Sequence, residues 1–175
     1  MSVKNSYPNL PTLKYMKTKV EMAEVICHLR NMPLPNEVKR ATYVIFRIES
    51  ANGTKGINNN YGGVQADSGR WGAEYDHLFE GTVALKENTT QKDRLFLAFK
   101  DTASFLGFLS HRLQARGLYV GGTTWKITKL RVKTVEDLAL AYYREWVTGN
   151  AKAAVPEANK ATITSMYKQA SELFK

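Results

Sequence analysis

The segment 52–73 sets the tightest limit on what this chain can fold into. Gly53, Gly56, Gly62, Gly63, Gly69 and Gly72 all fall inside it, too dense for a stable helix or a long strand. The stretch before it, Glu37 to Ile48, has the apolar periodicity of a helix and hands over to the loop at Glu49-Ser50. A body of helices must therefore carry an ordered irregular segment, with a carboxyl group at the junction. Tyr43, Val44, Phe46 and Ile48 back that carboxyl. Held partly out of water among them, Glu49 would favour its neutral form, and its pKa would rise toward the value a general acid needs near neutral pH.

The rest of the chain supplies the body. Residues 12–31 place Leu13, Met16, Val20, Ala23, Ile26, Cys27 and Leu29 at helical spacing and stop at Pro33. They predict a helix with Cys27 as a core thiol. Pro33 and Pro35 make a linker, and Asn36 suits the N-cap of the helix ending near Ser50. Thr82 to Leu85 and Leu95 to Phe99 flank a polar run at 88–93 and read as a β-hairpin. Asp101 can cap a helix to about Arg116, with Phe105, Leu106, Phe108, Leu109 and Leu113 turned inward. Thr134-Val135-Glu136-Asp137 has the hydroxyl and carboxylate of a capping-box start for a helix to Val147, and a last helix runs from about Pro156 to Phe174. The expected fold class is α+β, mainly α, with one domain over residues 1–175. Its helical core covers about 12–50 and 101–174, its loop and hairpin lobe about 51–100, and a cleft lies between them.

Composition narrows the function classes. A hydrophobic content of 43% and an aromatic content of 11% belong to a folded chain. No apolar run approaches the ~20 residues of a membrane span, so no stable membrane insertion is expected. Met1 to Leu13 lacks the pattern of a secretory signal, so synthesis in the cytoplasm is expected, with other machinery for any delivery beyond it. One cysteine excludes an internal disulfide, and His28, His77 and His111 lack metal-ligand spacing. Gly121-Gly122 lacks the Lys-Ser/Thr of a phosphate loop, and no metal or organic cofactor is expected. The net charge of +9 points to a polyanionic partner, either nucleic acid or an anionic bacterial wall. A basic nucleic-acid-binding domain stays open as an alternative, on Tyr/Lys/Arg interleaving near Lys126 to Lys133, without a helix-turn-helix, RNA-recognition or zinc signature.

Glu49-Ser50 at a helix end, followed by Asn59-Asn60-Tyr61-Gly62-Gly63-Val64-Gln65, resembles the lysozyme-like peptidoglycan hydrolases. Within them, lytic transglycosylases show Glu-Ser and then Gly-x-x-Gln, as Gly62 to Gln65 does. The β-N-acetylglucosaminidases of glycoside hydrolase family 73 are similar over more of the chain. Ala41 to Ser50, Asn59 to Gln65, a hairpin with Glu87, and Ala98-Phe99-Lys100-Asp101 before Ser104-Phe105 follow their order, and Tyr119 and Tyr142 fall near their aromatic positions. Lys100 stands where that family usually has arginine. In size and layout the chain also resembles type VI secretion glycoside hydrolase effectors. That likeness implies an antibacterial toxin acting in the periplasm or on the wall, with a cognate immunity protein. A phage lytic enzyme is the alternative.

The resemblance implies cleavage of the β-1,4 glycan strand of peptidoglycan by a lysozyme-like domain, with Glu49 as general acid. Glu87 becomes the second carboxylate, ahead of Asp67, Glu74, Asp76 and Glu80, unless the substrate's own N-acetyl group takes that role. Ser50, Asn60, Tyr61, Gln65, Trp71 and Tyr142 become substrate-binding residues. Amides suit sugar hydroxyls and acetamido groups, and the rings of Tyr61 and Trp71 suit a pyranose face. The same Asn and Gly residues also suit tight turns with no ligand at all. Trp146, at helical spacing with Leu138, Ala139 and Tyr142, reads as core.

Overall fold

The computed structural model describes residues 3–87, 91–115 and 132–175. It is a mixed α+β fold, predominantly helical, with two small antiparallel β units. In chain order the elements are β1 (Lys17–Thr18), α1 (Met22–Asn31), α2 (Asn36–Glu49), β2 (Gly56–Ile57), a 3₁₀ turn (Ala73–Leu78), β3 (Phe79–Lys86) and β4 (Asp93–Phe99). There follow α3 (Thr102–Ala115), α4 (Val135–Ala141) running into a π-helical turn (Tyr142–Val147), and α5 (Glu157–Leu173).

Helix α2 is the axis of the molecule. Every residue from Ala41 to Phe46 is buried, because α1, α3 and α5 all pack around it. Over that middle stretch the helix is apolar all round apart from Thr42, and its charged residues lie toward the two ends. Thr42, the polar exception, satisfies its hydroxyl on the Val38 carbonyl at 2.8 Å. The helix starts after Pro35, and Asn36 makes no side-chain cap. At the far end of α5, the Arg40 guanidinium donates to the Phe174 carbonyl at 3.0 and 2.8 Å, and the Phe174 ring meets Tyr43 edge-on.

The other expected elements form where their local chemistry places them. Asp101 accepts from the Ser104 backbone N–H at 2.7 Å and opens α3. Thr134 and Asp137 complete a reciprocal capping box at the start of α4. The hairpin pairs Lys86 with Asp93 through to Phe79 with Phe99, with a bulge between Phe79 and Gly81. Its inner face stacks Phe79 and Phe99 against Phe105 and Phe108 of α3.

The N-terminal third departs from the expectation. Helix α1 begins at Met22 rather than near residue 12, and the residues before it run extended. Leu13 donates to the Thr82 carbonyl at 2.7 Å and Thr82 to the Pro11 carbonyl at 2.9 Å. Lys17 then pairs with Ile57, and Thr18 with Gly56. This strap covers an edge of β3 that would otherwise present unpaired backbone groups. Its helical spacing was coincidence, since Tyr15 and Met16 stay exposed at 55% and 54%. Cys27 is also exposed and is not a core thiol; Val25 and Leu29 take the buried positions of α1. Tyr119, Gly121-Gly122, Trp125 and most of the basic stretch 126–133 lie outside the described residues.

Candidate active site

Glu49 is the last residue of α2, and the turn after it is tied down on every side. The Ser50 hydroxyl donates to the Phe46 carbonyl at 2.5 Å and accepts from the Gly53 backbone N–H at 2.8 Å. The backbone N–H groups of Asn52 and Lys55 close back onto the Arg47 and Ser50 carbonyls, both at 2.9 Å. Ala51 and Asn52 adopt left-handed backbone to make this reversal. Ser50 is thus wholly buried and serves the turn, so its expected contact with substrate gives way to a structural role.

The Asn/Gly segment beyond is an internal scaffold. The Asn60 amide donates to the Val64 and Leu97 carbonyls at 2.8 Å each and accepts from the backbone N–H groups of Gly62 and Val64. The Asn58 amide grips the strap, accepting from the Met16 N–H at 2.8 Å and donating to the Lys14 carbonyl at 3.0 Å. Asn59 donates to the Phe99 carbonyl at 3.1 Å. Two successive left-handed residues, Asn58 and Asn59, let the chain make this turn. Turn chemistry therefore accounts for these amides, and Asn60 has none left over for a sugar.

Tyr61 borders the cleft but is only 2% exposed, its ring held among Phe46 and Phe105 at centroid distances of 5.1 and 5.7 Å. It cannot offer the open stacking face expected of it. Gly56 is required beside it: a Cβ there would meet the Tyr61 ring and Thr18 Oγ1 at 2.5 Å.

What these elements enclose is an open cleft of about 530 Å³. Glu49, Asn60, Tyr61, Gly62 and Gly63 line it from one side, with Tyr15, Lys17, Lys55, Ile57, Phe96 and Trp146 around them. Glu49 is the one acid among these lining residues. Burial raises its pKa above the ordinary carboxylate range, outweighing the opposite effect of hydrogen bonds from Tyr142 and Trp146. Tyr142 is itself pushed up, by burial first and then by the Glu49 charge, so it remains a proton donor to the carboxylate. Both donors stand on the π-helical turn, an irregularity that often marks functional positions.

Trp146 corrects the sequence reading. It is half-buried, packs against the core with one side, and faces the cleft with the other. Its spacing from Tyr142 reads as a core face in an α-helix, and the π-helical turn that carries both residues is what sequence periodicity does not show. Tyr15 and Lys17 were missed for a different reason: their segment reads as helix, which assigns them no cleft at all.

The remaining candidates gather elsewhere. Glu87 follows β3, about 13 Å of strand beyond the Val83–Phe96 rung that reaches the cleft. It does not line the cleft, and its carboxylate lies 3.6 Å from Arg94 Nη1. Arg94 also donates to Asp67 Oδ2 at 2.8 Å and to Gln65 Oε1 at 2.5 Å, which ties Gln65 and Asp67 into the same cluster. Hydrogen bonding to Asp67 raises the pKa of Arg94 further and keeps it a fixed cation. Trp71 packs edge-on against Phe108 at 5.1 Å, with the Arg112 guanidinium 4.5 Å from its ring and its indole donating to the Gln65 carbonyl. Trp71 lies outside the cleft lining. His111 Nδ1 bonds the Tyr75 hydroxyl at 2.7 Å. Among the described residues no group of three or more His, Cys, Asp or Glu side chains converges as a metal site would require, and no helix is long and apolar enough to cross a membrane.

No protein-family model matches this chain, and neither does any curated protein sequence or any solved structure.

Proposed function

We propose that this protein is a lysozyme-like glycosidase that cleaves the β-1,4 glycan strand of bacterial peptidoglycan, with Glu49 as its general acid. One observation carries the reading. A single carboxyl group sits at the end of the central helix, in an open cleft, with its proton affinity raised by burial and the neutral donors Tyr142 and Trp146 beside it. A group that stays protonated above the ordinary carboxylate range and can reach a bound substrate is what leaving-group protonation requires.

In this mechanism Glu49 delivers its proton to the glycosidic oxygen as the C1–O bond breaks and positive charge develops on the sugar. Tyr142 and Trp146 hold the carboxylate that remains. Glu87 is bound to Arg94, and Glu49 has no acidic companion among the cleft's lining residues. The second role therefore passes to the substrate: the carbonyl oxygen of the neighbouring acetamido group closes on C1. Glu49, now anionic, takes a proton from the water that reopens that ring. Delivery as an antibacterial effector acting in the periplasm, with an immunity protein as partner, belongs to the same proposal and rests on the resemblance in sequence.

Release of soluble muropeptides from purified sacculi tests the proposal, with mass spectrometry of the new ends. Reducing N-acetylglucosamine, reducing N-acetylmuramic acid or anhydro ends would each name the bond and the fate of C1. Intact sacculi after prolonged incubation, together with salt-sensitive binding to DNA, would replace this reading with that of a nucleic-acid-binding domain.

A further inference from the structure

Part of the cleft wall is built by the N-terminal strap, which is tied down along its length. Asn58 clamps the strap through the Met16 N–H, the Met16 carbonyl and the Lys14 carbonyl, at 2.8, 2.8 and 3.0 Å. Thr18 adds a fourth tie, its hydroxyl accepting from the Asn59 N–H at 3.0 Å. Between these anchors Tyr15 and Lys17 face the cleft, and Lys55 joins them from the turn after α2. Tyr15 is 55% exposed and lines the cleft, so its ring face is open to a ligand there.

Both lysines are exposed, and neither ammonium pairs with an acid among the described residues. Two unpaired cations at the rim of a cleft with one acid give it a positive mouth, which attracts an anion. Neither cation figures among the groups that act on the Glu49 carboxyl. The proton affinity of Glu49 is set by burial, Tyr142 and Trp146. An ammonium against its carboxyl would favour the charged form and spoil a general acid. The anion would therefore sit beside the bond being cut, not on it.

Resting on the glycosidase reading, we infer that the strap is the specificity element of this cleft: Tyr15 covers a sugar ring, and Lys17 with Lys55 binds a carboxylate carried by the substrate next to the scissile bond. The ligand class is a carboxylate-bearing amino-sugar strand. In peptidoglycan the carboxylate has two sources, the lactyl ether of a stripped strand or the stem peptide of an intact one.

The test compares three soluble glycans of equal length: an uncharged N-acetylglucosamine oligomer, a peptide-stripped wall strand and an intact peptide-bearing strand. The readout is the ratio of kcat/KM on each anionic glycan to that on the neutral one. Lys17→Gln and Lys55→Gln should each lower the ratio roughly threefold to tenfold, the worth of one exposed charged contact. The double variant should lower it further, while Lys19→Gln, on the same strap but outside the cleft, should leave it unchanged. Whichever anionic glycan shows the loss identifies the source of the carboxylate. Equal loss on neutral and anionic glycans, or no loss on any, overturns the inference and leaves Glu49 chemistry standing. Binding of the same glycans to Glu49→Gln by calorimetry separates the two readings. If the wild type cleaves nothing, a charge preference removed by Lys17→Gln and Lys55→Gln still supports the strap's role, and its absence refutes it.

Discussion

Glu49 and Glu87 each stand where a regular element gives way to a loop, yet their surroundings differ in kind. Glu49 meets apolar walls and two neutral donors. Glu87 meets Arg94, which also holds Asp67 and Gln65. Neutral donors orient a carboxyl without fixing its charge, so burial can raise its pKa. A guanidinium fork fixes the geometry of the groups it binds instead. The first environment suits a group that must give up and regain a proton, and the second suits a brace that fastens the loop segment at Gln65 and Asp67 to β4.

The sharpest way to break this comparison is to neutralise each acid in turn. Glu49→Gln should reduce glycan cleavage by ~10²–10⁴-fold, the usual worth of general acid catalysis. Glu87→Gln should stay within about threefold of wild type in the same turbidity assay. A dead Glu87→Gln with an intact fold, or an active Glu49→Gln, would reverse the two roles.

Arg94→Ala should then show the brace for what it is. Removing the cation leaves the Asp67 carboxylate, whose side chain is only 7% exposed, with the Leu95 backbone N–H at 3.2 Å but without the Arg94 charge. The cost should be on the order of 2–3 kcal/mol in urea unfolding, because a partly buried charge loses its partner. Activity per folded molecule should change little. If Arg94→Ala keeps full stability but abolishes cleavage, the hairpin cluster belongs to the chemistry after all.

A smaller effect separates the two environments by pH. On the proposed mechanism cleavage needs protonated Glu49, so its alkaline limb should lie above the ordinary carboxylate range. The Tyr142 hydrogen bond favours the anion, so Tyr142→Phe should move that limb to still higher pH. Stability carries the matching sign. A carboxyl with a raised folded pKa supports the fold fully below its unfolded pKa and loses that support as pH rises through the folded value. Glu49→Gln should therefore raise Tm near neutral pH, with the gain fading as the medium is acidified. A limb that shifts down in Tyr142→Phe, or a Tm gain that grows in acid, would mean burial does not govern this carboxyl.

The two regions were also unequally legible in the sequence. Helix α2, the hairpin, the Asp101 cap and the Thr134–Asp137 capping box follow from local periodicity and side-chain hydrogen bonding, and these formed as read. Glu49 at the helix end was visible for the same reason. The strap was misread because Leu13, Met16 and Val20 happen to match a helical period, while its real partners, Thr82 and Ile57, lie far along the chain. Tyr61 and Asn60 were assigned to a sugar because their residue types suit one, but residue type does not reveal that Phe46, Phe105, Val64 and Leu97 already use their surfaces. Trp146 needed the turn geometry that swings an otherwise core position toward the cleft.

The smallest predicted effect bears on the turn that fixes Glu49. Ala51 has φ of 48°, a left-handed conformation in which its Cβ crowds the backbone. For a residue with a side chain this costs roughly 1–2 kcal/mol, whereas glycine adopts it freely. Asn52, Asn58 and Asn59 share the conformation but are residue types that tolerate it, so within the segment after Glu49 the strain concentrates at Ala51; Gln91, in the hairpin loop, is the other residue of this kind. Against the gain, glycine adds freedom to the unfolded chain worth ~0.4–1 kcal/mol. The balance favours Ala51→Gly by about 0.5–1 kcal/mol, a Tm rise of roughly 1–4 °C for a chain of this size. On the hairpin side, Ala84→Gly removes a side chain from an ordinary strand position and should lower Tm by a comparable amount. If both substitutions destabilise alike, the turn after Glu49 holds no strain, and its hydrogen bonds rather than its backbone conformation fix the end of α2.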